Sequence, residues 1–129
     1  MYDIIKKMRN IEIGEGTSDS IIREYESELT MFFPEDYKSF LRIYGFAKWS
    51  GHYITGVSED EDYDVLESTK YEISNDSDFP PLSISLDTDF IMYCEPSAKA
   101  GQIHRYPIHA GEGKTVFRNF SEFLKYKTA

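Results

Sequence analysis

The chain has 129 residues, with 23 acidic against 14 basic side chains, a net charge of −9, and 40% hydrophobic content that includes ten tyrosines and nine phenylalanines. That size and aromatic content suit one folded domain over residues 1–129 with a real core, not a disordered acidic tail. The sign of the charge argues against nucleic acid as a ligand, because phosphates would be repelled, and favours a basic partner. Cys94, the single cysteine, excludes an internal disulfide and any paired-cysteine metal or redox site. With no apolar run of about 18 residues and no signal-like N-terminus, a soluble, cytoplasmic chain without membrane contact is expected.

In chain order, residues 2–9 have Ile4, Ile5 and Met8 on one side of a short helix. A polar, glycine-punctuated link follows. Thr17 and Ser18 are candidate N-caps for a helix whose apolar stripe is Ile22, Tyr25 and Leu29, with Glu24, Glu26 and Glu28 expected on a solvated face. The segment FFPEDYKSFLRIYG is the clearest element. Pro34 suits the first helical position, Glu35 and Asp36 suit the positive end of the dipole, and Gly45 suits the stop. Tyr37, Phe40, Leu41 and Tyr44 fall at i, i+3, i+4 and i+7, one buried stripe.

Beyond Gly45 the periodicity changes. HYITGV reads as a strand, LSISL alternates with period two, and DFIMYC is a continuous apolar run suited to a strand covered on both faces. GQIHRYPIH is a further strand candidate, with Pro107 at a bulge or edge, and TVFRN adds a short last one. Between the first two lie the acidic stretch GVSEDEDYDVLE, Gly56 to Glu67, and a polar region reaching the double proline at Pro80 and Pro81. The chain closes on a helix in NFSEFLKYK, where Asn119 and Glu122 have capping-box spacing and Phe120, Phe123 and Leu124 face inward. Helices, then strands, then a terminal helix define an α+β domain.

The acidic stretch carries six carboxylates and no basic residue, which leaves three readings: a metal site, a face for a basic partner, or a solvated loop. Asp60, Asp62 and Asp64 match the first three ligand positions of a calcium loop, but Val65 stands where its glycine must turn and Tyr71 where its bidentate glutamate must be. GEGKT lacks the first glycine of a phosphate loop, since position 108 is Ile108. His104 and His109 are an odd number apart and point to opposite faces of an unbroken strand, so a metal pair there needs the Pro107 bulge. Cys94, inside an apolar run beside Glu95, has a raised thiol pKa and reads as a small buried residue. No catalytic, cofactor-binding or metal-binding residue is assigned.

The block FPEDYKSFLRIYGFA followed by YITG resembles the SUKH superfamily (SMI/KNR-like domains). Phe33–Pro34, Asp36–Tyr37, Tyr44–Gly45 and Ile54 with Gly56 stand at its motif positions, and the similarity covers about residues 17–126. Phe33 replaces the commoner leucine, and SLDTDF departs from the usual glycine–acid turn. The resemblance implies a central, mostly antiparallel sheet with helices packed against it, no cofactor and no enzyme activity. It implies a bacterial immunity protein (an antitoxin) that neutralises a cognate polymorphic toxin domain, such as a basic nuclease. A regulatory interaction scaffold, or a small metal-dependent enzyme, are the alternatives. On the immunity reading the expected partner-binding residues are Trp49, Glu59, Asp60, Glu61, Asp62, Tyr63, Asp64 and Glu67. Reversing Asp60, Asp62 and Asp64 together is then expected to slow association with little loss of stability.

Overall fold

The structure, a computed structural model, describes residues 11–49, 52–75, 82–85, 90–95, 97–105 and 117–127. Its elements are β1 (Glu12–Ile13), α1 (Asp19–Leu29), α2 (Glu35–Tyr44), β2 (Ala47–Trp49), β3 (His52–Ile54), a 3-10 turn (Glu61–Tyr63), α3 (Val65–Asn75), β4 (Leu82–Ser85), β5 (Phe90–Met92), β6 (Ile103–Arg105) and α4 (Phe120–Lys127). The expected helix over residues 2–9, the Pro80–Pro81 pair, Pro107, His109 and the GEGKT turn lie outside the described residues.

The class is α+β, as expected, but the sheet comes in two antiparallel halves, ordered β1-β2-β3 and β4-β5-β6. They are joined just past β3, where the Thr55 N–H donates to the Ile84 carbonyl at 2.9 Å and the Thr55 hydroxyl to the Ser83 carbonyl at 2.7 Å. Phe90 to Cys94 are all buried, so the apolar run is covered on both faces as its composition requires. Of the expected last strand, Thr115 and Val116 lie outside the described residues, and Phe117 bridges to Ile103. The stretch expected to be a polar link holds β1, whose Ile13 pairs with Ala47.

Helix α2 is the centrepiece. Tyr37, Phe40, Leu41 and Tyr44 are all buried. Pro34 sits one position earlier than expected, as the N-cap, and its carbonyl accepts from the Lys38 N–H at 3.0 Å. Two motif residues fasten the helix to its neighbours. Asp36 accepts from the Ser121 N–H at 3.2 Å, tying α2 to the first turn of α4, while the Tyr37 hydroxyl donates to the Thr55 carbonyl at 2.8 Å where the sheets meet. The rings of Tyr37 and Phe40 pack on Phe120 at 5.1 and 5.2 Å. The other end of the α4 stripe, Phe123, meets Phe90 of β5 edge-on at 5.0 Å.

Helix α1 departs from expectation at one residue. Ser18 caps it, accepting from the Ile21 N–H, and Ile22 is buried. Glu26, expected in solvent, is 7% exposed. It falls four residues after Ile22, on the stripe rather than off it. Its carboxylate accepts the Phe33 N–H at 2.7 Å and meets the Lys38 ammonium at 3.5 Å. A buried acceptor thus fastens the connection into α2, where an unpaired N–H would be costly.

Candidate functional site

The acidic stretch begins at a backbone crossing. Gly45 ends α2 with φ 75° and ψ −61° in a tight turn closed by the Phe46 N–H on the Tyr44 carbonyl at 2.8 Å, a positive-φ backbone that disfavours any side chain. Its carbonyl lies so close to Gly56 that a side chain on Gly56 would collide with it. The same carbonyl accepts from the Val57 N–H at 2.9 Å. From there the loop closes on itself, since the Gly56 N–H donates to the Tyr63 carbonyl at 2.9 Å and the Val65 N–H to the Gly56 carbonyl at 2.7 Å. Both motif glycines are therefore required by close approach of the backbone at the neck of the acidic loop.

Within that neck the acidic residues divide into two kinds. Asp64 is 3% exposed. One carboxylate oxygen accepts the Tyr25 hydroxyl at 2.6 Å and the Ser58 N–H at 3.1 Å, and the other accepts the Glu67 N–H at 3.2 Å. It caps the N-terminus of α3, a helix that occupies part of the region whose sequence is polar. Burial, then the Asp64 carboxylate, pushes the Tyr25 phenol far above its ordinary pKa, so the hydroxyl remains a donor. Glu59, Asp60, Glu61, Asp62 and Glu67, by contrast, are exposed. Asp60 accepts the Asp62 N–H at 3.0 Å and so shapes the 3-10 turn, leaving its neighbours in solvent.

The aromatic candidates turn inward. Tyr63 stacks on Phe46 with centroids 5.9 Å apart, meets Tyr53 edge-on at 5.2 Å, and lies under the Lys48 ammonium at 4.6 Å. That ammonium also pairs with Glu12 at 3.0 Å, and this partner above all raises its pKa. Trp49 is 9% exposed, with its ring 5.9 Å from that of His52. Tyr63 thus seats the loop on the β2–β3 surface, whereas Trp49 belongs to the core. Reversing Asp60, Asp62 and Asp64 together would carry a stability cost through Asp64; the exposed set leaves Asp64 out. Tyr25 and Ser58, which hold Asp64 in place, were not singled out from the sequence.

The remaining chemical candidates are placed as follows. Cys94 is buried, and burial, with Glu26 and Glu95 adding to it, pushes its thiol far up. His104 is buried on β6 with its ring 3.1 Å from the Gln102 amide oxygen and edge-on to Tyr93 at 5.0 Å; burial and the nearby Lys99 charge hold its pKa below the ordinary value. Among the described residues no group of three or more His, Cys, Asp or Glu side chains is arranged to hold a metal ion. No described helix is long and apolar enough to cross a membrane.

These features define a small α+β protein that presents a tethered acidic loop on a rigid sheet. A family model described as SUKH_5, SMI1-KNR4 cell-wall, matches residues 1–128. The chain belongs to that SUKH family. No curated protein matches it.

Proposed function

We propose that this chain is a non-catalytic immunity protein, acting in the cytoplasm, that binds and neutralises a basic toxin domain such as a nuclease. The observation that carries the reading is the separation within the acidic loop. Asp64 is used by the fold, whereas Glu59, Asp60, Glu61 and Asp62 are exposed on a loop with a fixed neck, and Glu67 is exposed beside it in the first turn of α3. Like charges so close repel one another, and a basic partner relieves that repulsion. A nuclease surface built to grip phosphate has the opposite sign, and complementary fields of this kind raise association rates by roughly 10–10³-fold at low salt. Family membership is consistent with this role.

The test is rescue. A toxin domain encoded beside this gene is expressed in a sensitive host with and without the chain; growth restored by this chain and not by a SUKH relative is the expected result. Death of the host despite folded, expressed chain and active toxin refutes that pairing. The family description as a cell-wall group supports a second reading, a regulatory scaffold. A scaffold would bind several proteins weakly, where an immunity protein binds one tightly, and affinity purification under increasing salt separates the two.

A further inference from the structure

A second feature lies on the far side of the loop neck. Between the start of α1 and residues Val57 to Asp60 runs a groove of about 1020 Å³. Its apolar surface comes from Ile21, Tyr25, Phe46 and Val57, and Ile21 is 38% exposed although it sits one residue from the buried Ile22. Its carboxylates come from two separate segments, Glu15 and Glu24 on one wall and Glu59 and Asp60 on the other. None of its described lining residues is basic.

We propose that this groove receives an Arg- or Lys-bearing segment of a protein partner. Long basic side chains fit both halves of the surface, because the aliphatic stem covers apolar area while the charged head remains among carboxylates. A neutral apolar helix would strip water from the carboxylates without replacing it, and a phosphate backbone would be repelled. The proposal rests on the immunity reading and makes it more specific. The partner's basic segment lies between α1 and the loop neck, and the outer recess lined by Glu61, Asp62 and Glu67 is secondary.

The probe is an N-acetylated, C-amidated hexa-arginine peptide titrated into the whole ¹⁵N-labelled chain at low salt. Expected are chemical-shift changes centred on Ile21, Glu24, Phe46 and Val57–Asp60. The double reversal Glu24→Lys with Glu59→Lys should weaken binding by about tenfold, the scale of turning two exposed attractive pairs into repulsive ones. Glu61→Lys with Asp62→Lys should leave it within about twofold, while Ile21→Ser, which keeps the charge, should weaken it by about threefold through lost apolar contact. Shifts spread over all exposed acids, equal weakening by both double reversals, or no effect of Ile21→Ser overturns the groove. In the rescue assay the two readings separate. Full protection by the Glu24→Lys, Glu59→Lys chain removes the groove and keeps immunity, whereas peptide binding in the groove without rescue removes immunity alone.

Discussion

Asp64→Ala tests the division of the acidic loop directly. The substitution removes an N-cap, worth about 1 kcal/mol, and the charged acceptor of the half-buried Tyr25 hydroxyl, worth about 1.5 kcal/mol at the low end for a bond to a charged group. The Ser58 N–H loses its partner in the same step. Because the three bonds share one carboxylate their effects overlap, and about 3 kcal/mol is the expected total. An unfolding entropy of about 2.1 cal/mol/K per residue over 129 residues converts this to a melting temperature lower by about 11 °C. The assay is thermal unfolding followed by circular dichroism, with Glu61→Lys, Asp62→Lys as the control. That control touches only exposed side chains and should move the midpoint by no more than about 2 °C. Asp64→Asn, which keeps one acceptor oxygen, should fall between. A midpoint for Asp64→Ala within about 2 °C of the parent would refute the structural role given to this carboxylate, as would a control that falls as far.

Two further outcomes are expected. Gly56→Ala, which ordinarily gains a few tenths of a kcal/mol by stiffening the unfolded chain, should instead cost about 2 kcal/mol or more by pushing against the Gly45 carbonyl; urea unfolding reads the sign, and a gain would show that the crossing has slack. His104 should make stability acid-sensitive. Its folded-state pKa lies below the unfolded value of about 6.5, so its contribution is intact above that pH. It is lost as the unfolded ring takes up a proton first, down to the lower folded value. The difference in stability between the parent and His104→Gln should therefore shrink from pH 8 to pH 5, and a difference that stays constant would place the ring outside this linkage.

Legibility from sequence followed how each side chain is used. Helix α2 could be read because its buried stripe is wholly aromatic or aliphatic and both ends carry standard signals. Helix α3 could not, because its inward positions are Val65, Ser68 and Thr69, while Tyr71 and Ile73 point outward and blur the period. Thr69 is buried for its hydroxyl, which accepts the Ser83 N–H at 3.0 Å and carries the helix onto β4. A cue was nevertheless present. Asp64 and Glu67 have the spacing that marks Asn119 and Glu122, and in both pairs the first side chain accepts the N–H of the second. Inside a run of acids that cap looked like one more charge. Glu26 was misread for a related reason, since a carboxylate on an apolar stripe makes sense only once the Phe33 N–H is known to need an acceptor. For the site, the exposed carboxylates from Glu59 to Asp62 followed from composition alone, whereas the inward seating of Tyr63 depends on Phe46 and Tyr53, which only the fold brings near.

The neck at Gly45 and Gly56 has a consequence for how such a surface can diversify. Its closing bonds run between main-chain atoms, so they ask nothing of the side chains at Glu59 through Asp62. Of these, Asp60 shapes the turn, while Glu59, Glu61 and Asp62 form a cassette that can be rewritten, or lengthened at a closure cost rising only with the logarithm of loop length, while the scaffold beneath stays constant. On the immunity reading proposed above, a change of partner is then met at these positions without re-evolving the fold, provided Gly56, Asp60, Tyr63 and Asp64 are kept.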